Sequence, residues 1–255
     1  MAICLHGRIA ADGPSRLRRA DKTKKGETPM HEDEVKADAP AQAEPTAAKP
    51  VRKRDSAGTR ARILNVATRE FANKGFEGAK TDDIADRARI NKRMIYHYFS
   101  SKEQLYLAVL EAVYQQARSA EYKLDLERME PLEALARFVE FTFDSFVRDR
   151  TFINLLATEN RQRAKVLKKS SRVNTMNSPI IAAIDAVLHA GVAKGTIRPG
   201  LDALQLWITI TGVCYFFFSN IFTLSVIFDT DFEKPETIAA RRTHVVDFVL
   251  RGVRA

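Results

Sequence analysis

The chain has 255 residues, two cysteines and a net charge of +9. The two cysteines, Cys4 and Cys214, lie in segments of very different composition, which argues against a disulfide framework or a thiolate metal site and fits a reducing cytoplasm. A chain of this length can bury a sizeable hydrophobic core. Its positive charge is concentrated between Arg52 and Lys102, where 13 Lys and Arg residues accompany 6 Asp and Glu residues. Such a local excess predicts a surface that binds nucleic-acid phosphates.

Residues 1–55 are rich in Ala, Pro, Lys, Asp and Glu and contain few large apolar side chains. Such a segment cannot bury enough apolar surface to offset its ordering entropy, so a disordered arm is predicted. The arm ends near the basic triplet 52–54, which would suit DNA phosphates. An inert tail explains the same composition equally well, so both interpretations stay open.

Four helices are predicted after the arm. The first spans about 59–75, where apolar side chains recur at helical spacing and a glycine ends the pattern. The second and third, 81–88 and 92–99, are separated by a turn of three residues. Asn91 is the expected N-cap of the third helix, and the fourth begins after Ser101.

The third predicted helix begins with two cations, Lys92 and Arg93, and ends in the aromatic cluster 96–99. A short helix of this kind, braced by a preceding helix across a tight turn, places side chains in the major groove of DNA. Segment 80–99 therefore predicts a helix-turn-helix motif.

The rest of the chain continues as helices, separated by glycine and proline residues. They are predicted at about 131–148, 151–169, 173–194, 202–225 and 235–251. Because the alternation of polar and apolar residues typical of strands is missing from the sequence, an all-α fold of about nine helices is expected.

Segment 203–228 contains no charged residue and is long enough to span a membrane. It also contains Gln, Asn, Ser, Thr and Gly residues that dilute its hydrophobicity. A helix buried at a dimer interface or pocket has the same composition, and that interpretation is favoured. A membrane anchor is the alternative.

One pattern of residues extends along 57–117. It comprises Thr59-Arg60, Ile63-Leu64, Ala67, Phe71-Ala72, Gly75-Phe76, Ile84-Ala85, Ala88, Ile90, Tyr96-His97-Tyr98-Phe99, Ser101-Lys102-Glu103 and Leu105. This pattern resembles the tetracycline-repressor (TetR) family of bacterial transcriptional regulators. The resemblance implies a three-helix DNA-binding domain at 57–117 and a helical domain at 118–255 that dimerises and binds a small-molecule effector.

The chain departs from the family pattern at a few positions. Arg89 stands where a glycine is common in the turn. Lys80 replaces a frequent capping Ser or Thr, so Thr81 is expected to cap the second helix. In the C-terminal half, segments 152–160 and 191–199 resemble the subgroup that contains the pyrimidine-utilisation repressor.

In the family, the third helix enters the major groove, and the resemblance assigns DNA contacts on that basis. Arginine and lysine can donate two hydrogen bonds to guanine, whereas phosphate contacts fix position without reading sequence. The residues expected at base edges are Lys92, Arg93, Met94 and His97, and those expected at phosphates are Thr81, Asn91, Tyr96 and Lys102.

Two helical stripes in the C-terminal half could line an effector pocket. Glu159 lies on the apolar stripe of 152–160, and a buried carboxylate needs a partner, either an internal arginine or a polar ligand. Trp207, Thr211 and Tyr215 form a second stripe, which with Phe141 or Phe143 lines either a cavity or plain core. The candidate ligand-binding residues are Phe141, Glu159, Asn160, Trp207, Thr211 and Tyr215.

These observations favour a cytoplasmic homodimer that represses transcription and leaves a palindromic operator when an effector of unknown identity binds. Two recognition helices related by a twofold axis reach successive major grooves about 34 Å apart. Segments 203–228 and 238–250 are the predicted interface. No catalytic residue, metal site or cofactor is expected, since the sequence offers no cluster of suitable ligands. The alternatives are a membrane-associated regulator anchored by 203–228 and an enzyme or ligand-binding protein without a DNA role.

Overall fold

A computed structural model describes residues 56–176 and 178–255, so the predicted arm at 1–55 lies outside the described residues. Within the described ranges the regular secondary structure is helical, apart from one isolated antiparallel bridge between Ile197 and Arg254. The helices are α1 (Ser56–Gly78), α2 (Thr81–Ala88), α3 (Lys92–Phe99), α4 (Lys102–Tyr122), α5 (Pro131–Arg148), α6 (Thr151–Arg161), α7 (Val173–Met176), α8 (Ser178–Ala193), α9 (Ala203–Ser219), α10 (Ile221–Ile227) and α11 (Pro235–Val253). The all-α prediction is confirmed.

Short 3-10 turns at Leu126–Arg128 and Leu167–Lys169 complete the regular structure. The second turn corrects the predicted helix 151–169, because α6 ends at Arg161. The chain then takes left-handed backbone angles at Arg163 and Ala164, with φ of 55° and 56°. A right-handed helix cannot continue through such residues.

The single helix predicted at 202–225 is wrong, because α9 and α10 meet at Asn220 with a bend of 65°. Asn220 leaves helical geometry, with φ −118° and ψ 8°. Its side-chain amide donates to the Phe216 carbonyl at 2.9 Å, and the same carbonyl accepts the Asn220 backbone amide at 3.2 Å. The apolar segment therefore contains two helices.

Two helical stretches meet the length and hydropathy expected of a membrane span. They are Val173–Ala193, with mean hydropathy 1.3, and the bent pair α9–α10 if it is counted as one. The inner face of α9 is buried within the protein through Leu206, Ile210 and Cys214. Core helices of a bundle have the same composition. A membrane anchor at 203–228 is therefore not supported.

The N-terminal helices α1–α4 enclose one hydrophobic cluster. Ile63, Phe71, Ile84, Ile95 and Tyr106 are fully buried in it, which leaves the polar faces of α2 and α3 at the surface. Leu155 and Val166, from the segment containing α6, also belong to this cluster. The helix α1, which packs on the helix-turn-helix, therefore also packs directly against α6, so α4 is not the only helix that links the two clusters.

The C-terminal helices share a second hydrophobic cluster formed mainly by α5, α8, α9 and α11. Phe143 lies at its centre, with the Phe218 ring centroid 4.9 Å away. Arg242 of α11 makes a two-pronged bond to Asp144 of α5, with N–O distances of 2.8 and 3.0 Å. Phe143 therefore belongs to the core, and α11 is fastened to α5 by packing and by this ion pair.

Candidate nucleic-acid interface and ligand cavity

The turn between α2 and α3 is fixed by local hydrogen bonds. Arg89 adopts a left-handed conformation with φ 53°, the geometry for which glycine is common at this position. Its amide donates to the Asp86 carbonyl at 3.1 Å, and the Ile90 amide donates to Ala85 at 3.1 Å. A non-glycine residue in this conformation costs about 1–2 kcal/mol. The turn is therefore held by these bonds and by the buried residues on both sides.

Side-chain caps fix the first turns of α3 and α4. The Asn91 side-chain oxygen accepts from the Arg93 amide at 2.9 Å, as predicted for an N-cap. Ser101 caps α4 by accepting from the Gln104 amide at 3.0 Å. The expectation that Thr81 caps α2 is wrong. Lys80 occupies the cap position without a side-chain bond, and Thr81 is already helical.

The outward face of α3 carries most of the residues predicted to contact DNA. Lys92, Arg93, Tyr96 and His97 are exposed, and Met94 is half-buried. The opposite face is occupied by buried Ile95 and Phe99, which anchor the helix in the N-terminal cluster. A short helix fixed on one side and polar on the other suits insertion into a groove.

Thr81 lies beneath this face. It is buried, and its hydroxyl oxygen is 3.3 Å from the hydroxyl oxygen of Tyr96. The contact positions Tyr96, whose ring remains exposed. Thr81 is therefore placed to orient a surface residue.

The two cations at the start of α3 differ in their surroundings. Lys92 forms an ion pair with Asp82 of α2, with Nζ 2.8 Å from Oδ1, and the pKa of Lys92 is raised by its hydrogen bond to that carboxylate. Exposed pairs of this kind contribute little and are screened by salt. Arg93 has no side-chain hydrogen bond or ion pair within residues 56–176 and 178–255. Its guanidinium is available to an external acceptor.

Lys102 lies at the first turn of α4. Its ammonium is 4.8 Å from the centroid of the Phe76 ring and 3.4 Å from the Glu77 carbonyl oxygen. These contacts hold the cation beside the free amides of a helix N-terminus, where a phosphate is favoured. Two arginines that sequence reasoning missed also flank the motif. Arg60 stacks over Phe99 at 5.0 Å, and Arg62 donates to the Ala88 carbonyl at 3.0 Å.

A cavity of about 400 Å³ opens between α4, α5, α6 and α9. Three of the predicted ligand-binding residues, Phe141, Trp207 and Thr211, line it. Phe152 also lines it, with its ring 5.1 Å from that of Tyr114. The volume lies in the range of small-molecule sites, and apolar side chains dominate the walls.

The other three predicted ligand-binding residues do not border this cavity. Asn160 is exposed, and Tyr215 packs against Phe146 with ring centroids 6.4 Å apart. Glu159 is buried, and its Oε2 accepts from the Leu167 backbone amide at 2.9 Å. Burial, together with the nearby Glu159 charge, raises the pKa of Tyr106. Glu159 thus has a backbone partner in place of the arginine considered from sequence.

An ion pair on α4 was missed by sequence reasoning. Arg118 Nη1 lies 2.8 Å from Glu121 Oε2, and both residues line the cavity. Burial raises the pKa of Glu121 to about 7 against the opposing effect of Arg118, and burial lowers the pKa of Arg118. A sequence signal did exist, because Leu110, Tyr114 and Arg118 fall at i, i+4 and i+8 of one helix face.

The outer faces of α9, α10 and α11 expose large apolar side chains. Here they are called the apolar outer face, and they comprise Leu204, Ile208, Phe216, Phe222, Val226, Ile227, Phe228 and Phe248. Several exposed large apolar side chains on neighbouring helices are the kind of surface that association buries. The apolar outer face coincides with the two segments predicted to form a dimer interface.

Comparison with known proteins assigns the family. Residues 63–109 match the profile described as bacterial regulatory proteins, tetR family, and residues 131–249 match the tetracyclin repressor-like C-terminal domain. The HTH-type transcriptional repressor NicS of Pseudomonas putida is 35% identical over 204 residues, covering 80% of this chain and 96% of NicS. The chain belongs to the TetR family of transcriptional regulators, and its helix-turn-helix is the family's DNA-binding motif.

Two further comparisons are weaker. The regulator RutR of Escherichia coli is 33% identical over 82 residues, covering 32% of this chain and 38% of RutR. The resemblance of 152–160 and 191–199 to a subgroup therefore stays a prediction. The structure of FadR from Bacillus subtilis in complex with stearoyl-CoA superposes with a TM-score of 0.54 at 21% identity, covering 75% of this chain and 98% of FadR. At that identity the likeness concerns the fold.

Proposed function

We propose that this TetR-family regulator is a homodimeric repressor that binds a palindromic operator and leaves it when a small molecule occupies the α4–α5–α6–α9 cavity. The DNA-binding part of the proposal rests on Arg93, a cation with no side-chain partner in the described part of the chain. It lies on the outward face of a helix anchored by Ile95 and Phe99. Its guanidinium can donate two hydrogen bonds to a guanine, which discriminates between bases by about 1–3 kcal/mol. Lys92, Met94 and His97 share that face.

The remaining predicted contacts serve the phosphates. Tyr96 and Lys102 lie at the edges of the α3 face, while Asn91 and Thr81 hold the local backbone and Tyr96 in place. Such contacts fix the register of the protein on DNA without reading sequence. In this proposal residues 57–117 act as the DNA-binding domain and 118–255 as the effector and dimerisation domain.

Dimerisation follows from the apolar outer face. Phe216 is 56% exposed and Phe248 is 59% exposed, although both lie on helices whose other faces form the core. A second copy packing α9 and α11 against their equivalents would bury this surface in a four-helix arrangement. The twofold axis would then present two α3 helices to successive major grooves. We assign the dimer to the cytoplasm, with no membrane partner.

Effector control is assigned to α4 because the helix belongs to both regions. Leu105 and Leu110 are buried in the N-terminal cluster, whereas Arg118 and Glu121, further along the same helix, line the cavity. A ligand that favours one arrangement of α4 would change the spacing of the two α3 helices. By linkage, the factor by which the ligand changes the affinity for DNA is set by the ratio of the ligand's affinities for the two arrangements of α4.

The test is a gel-shift assay on DNA from upstream of the gene that encodes the chain, at moderate ionic strength. We expect binding with nanomolar affinity to a palindromic fragment and about a thousandfold weaker binding to scrambled DNA. Arg137→Gln, on a part of α5 outside the α3 face and the cavity, serves as a control that keeps full binding. Equal affinity for palindromic and scrambled fragments would contradict the proposal.

A further inference from the structure

The cavity contains hydrogen-bond donors that have no acceptor. Arg118 Nε and Trp207 Nε1 are both buried and make no hydrogen bond to any part of the chain that the structure describes. The two groups are neighbours, since the Arg118 guanidinium carbon lies 5.5 Å from the centroid of the Trp207 ring. Buried donors without acceptors are costly, and a bound ligand is one way in which they are satisfied.

Three other polar groups around the cavity already have partners within the protein. The Thr142 hydroxyl donates to the Phe138 carbonyl at 2.8 Å, and the Ser145 hydroxyl donates to the Thr142 carbonyl at 2.7 Å. Glu121 Oε2 is held at 2.8 Å by Arg118 Nη1. Two residues that line the cavity therefore carry buried N–H donors without an acceptor in the described structure, and one of these donors belongs to a cation.

We propose that the effector is a small apolar molecule carrying one oxyanion group, such as a carboxylate, which accepts hydrogen bonds from Arg118 Nε and Trp207 Nε1. The proposal rests on the proposed function for its regulatory meaning, but the binding chemistry stands on the cavity alone. Guanidinium and carboxylate groups match in geometry and form strong charge-assisted bonds.

The volume of the cavity and the side chains that line it limit the rest of the ligand. A volume of about 400 Å³ holds on the order of a dozen water-sized groups at about 30 Å³ each. Phe141, Phe146, Phe152 and Tyr114 surround that space. Flat apolar side chains favour a compact or ring-bearing body.

The chain supplies its own reporter, because Trp207 is its single tryptophan. We would titrate the purified protein with 3-phenylpropionate, its amide and the matching amine, 3-phenylpropylamine, and follow tryptophan fluorescence. The three probes share a body and differ in the charge and hydrogen bonding of the end group. We expect the carboxylate to bind about tenfold tighter than either other probe, since only it pairs a negative charge with the Arg118 guanidinium. A preference for the amine, equal binding of all three, or no binding of the carboxylate below about 1 mM would overturn the proposal.

Arg118→Gln should weaken carboxylate binding about tenfold and leave amide binding within about threefold. Arg137→Gln removes an arginine of α5 outside the cavity and should change neither. Should Arg118→Gln fail to fold, Arg118→Lys keeps the charge but removes the forked donor geometry, and it should weaken carboxylate binding in the same direction. Unchanged carboxylate affinity in a folded Arg118 variant would refute the role of this residue.

The same proteins separate this proposal from the proposed function. Operator binding by the parent protein without any probe tests the repressor alone. If the carboxylate binds as expected and no operator is bound, the oxyanion site stands and the repressor fails. If the operator is bound while the carboxylate does not bind, the repressor stands and the oxyanion proposal fails.

Discussion

The helix-turn-helix and the cavity contain similar polar side chains, but they differ in whether those side chains have hydrogen-bond partners within the protein. Around the turn, partners lie close by: Asn91 accepts from the Arg93 amide, Arg62 donates to the Ala88 carbonyl, and buried Glu70 pairs with Lys74 and Arg87. Around the cavity, donors of buried side chains lack acceptors within the described structure. The polar groups named around the turn therefore have partners within the chain, as expected of a DNA-binding motif that is formed before DNA binds. The cavity region contains buried donors with which a ligand can form hydrogen bonds.

The largest expected effect is a loss of stability in the N-terminal region that contains the helix-turn-helix. Phe71 is fully buried among α1, α4 and their neighbours, with the Tyr106 ring 4.8 Å away. Phe71→Ala should lower the free energy of unfolding by about 3–5 kcal/mol, because it removes a large side chain and leaves a cavity. Chemical denaturation followed by circular dichroism measures the change. Tyr122→Ala, at an 80% exposed position, is the matched control and should stay within about 0.5 kcal/mol.

A charged side chain introduced on the apolar outer face would test dimerisation separately from folding. Phe216→Glu places a carboxylate where the proposed dimer buries an aromatic ring, and a buried unpaired charge is strongly unfavourable. We expect at least about a hundredfold weaker dimerisation, with the helical content of the monomer retained. Analytical ultracentrifugation measures the association. A stable dimer of this variant would place the interface elsewhere.

The cavity side of the comparison predicts a pH dependence centred on Glu121. Burial raises its pKa to about 7 in the folded chain from the ordinary value of 4.5, so the folded state holds the proton more tightly than the unfolded state. Stability is therefore highest below about pH 4.5, falls as the pH rises towards 7 and is constant above it. A shift of this size corresponds to a loss of roughly 3 kcal/mol, with the opposing effect of Arg118 already included.

Glu121→Gln removes this titration because the amide does not ionise. The difference in unfolding free energy between the variant and the parent should therefore shift in favour of the variant as the pH is raised from 4.5 to 7. Thermal unfolding at a series of pH values measures it, with Glu127→Gln on the following 3-10 turn as a control. Parallel pH profiles for Glu121→Gln and the parent would contradict the assignment.

Sequence reasoning recovered the helix-turn-helix because its signals are local. Gly75 breaks α1 with φ 68°, and Asn91 and Ser101 cap the next helices, each within three residues of the bond it makes. The bend at Asn220 was missed because Asn220 is one of several uncharged polar residues in this segment, and the others lie within α9 or α10. Arg118 was missed for another reason: a cavity depends on how four helices pack, and only side-chain periodicity on α4 hinted at it.

Arg93→Ala tests whether the exposed cation of α3 reads sequence. The loss of two hydrogen bonds to a base should cost about 1–3 kcal/mol on the preferred operator and much less on unrelated DNA, so specificity should relax. Binding measured on the operator and on a single-base-substituted series shows the change. The same loss on every sequence would assign Arg93 to phosphate binding.

The smallest expected effect comes from replacing Lys102. This change tests whether phosphate contacts, which position the protein on DNA, are made by other residues than the base contacts that read sequence. Its ammonium is held near Phe76 and the Glu77 carbonyl at the start of α4, away from the row of Lys92, Arg93 and His97. Lys102→Ala should weaken binding by a similar factor on all sequences, because one phosphate contact and its released counterion are lost. The slope of log K against log salt should flatten by about one unit. A salt titration of the operator complex measures this, and a sequence-dependent loss with an unchanged slope would place Lys102 among the base-reading residues.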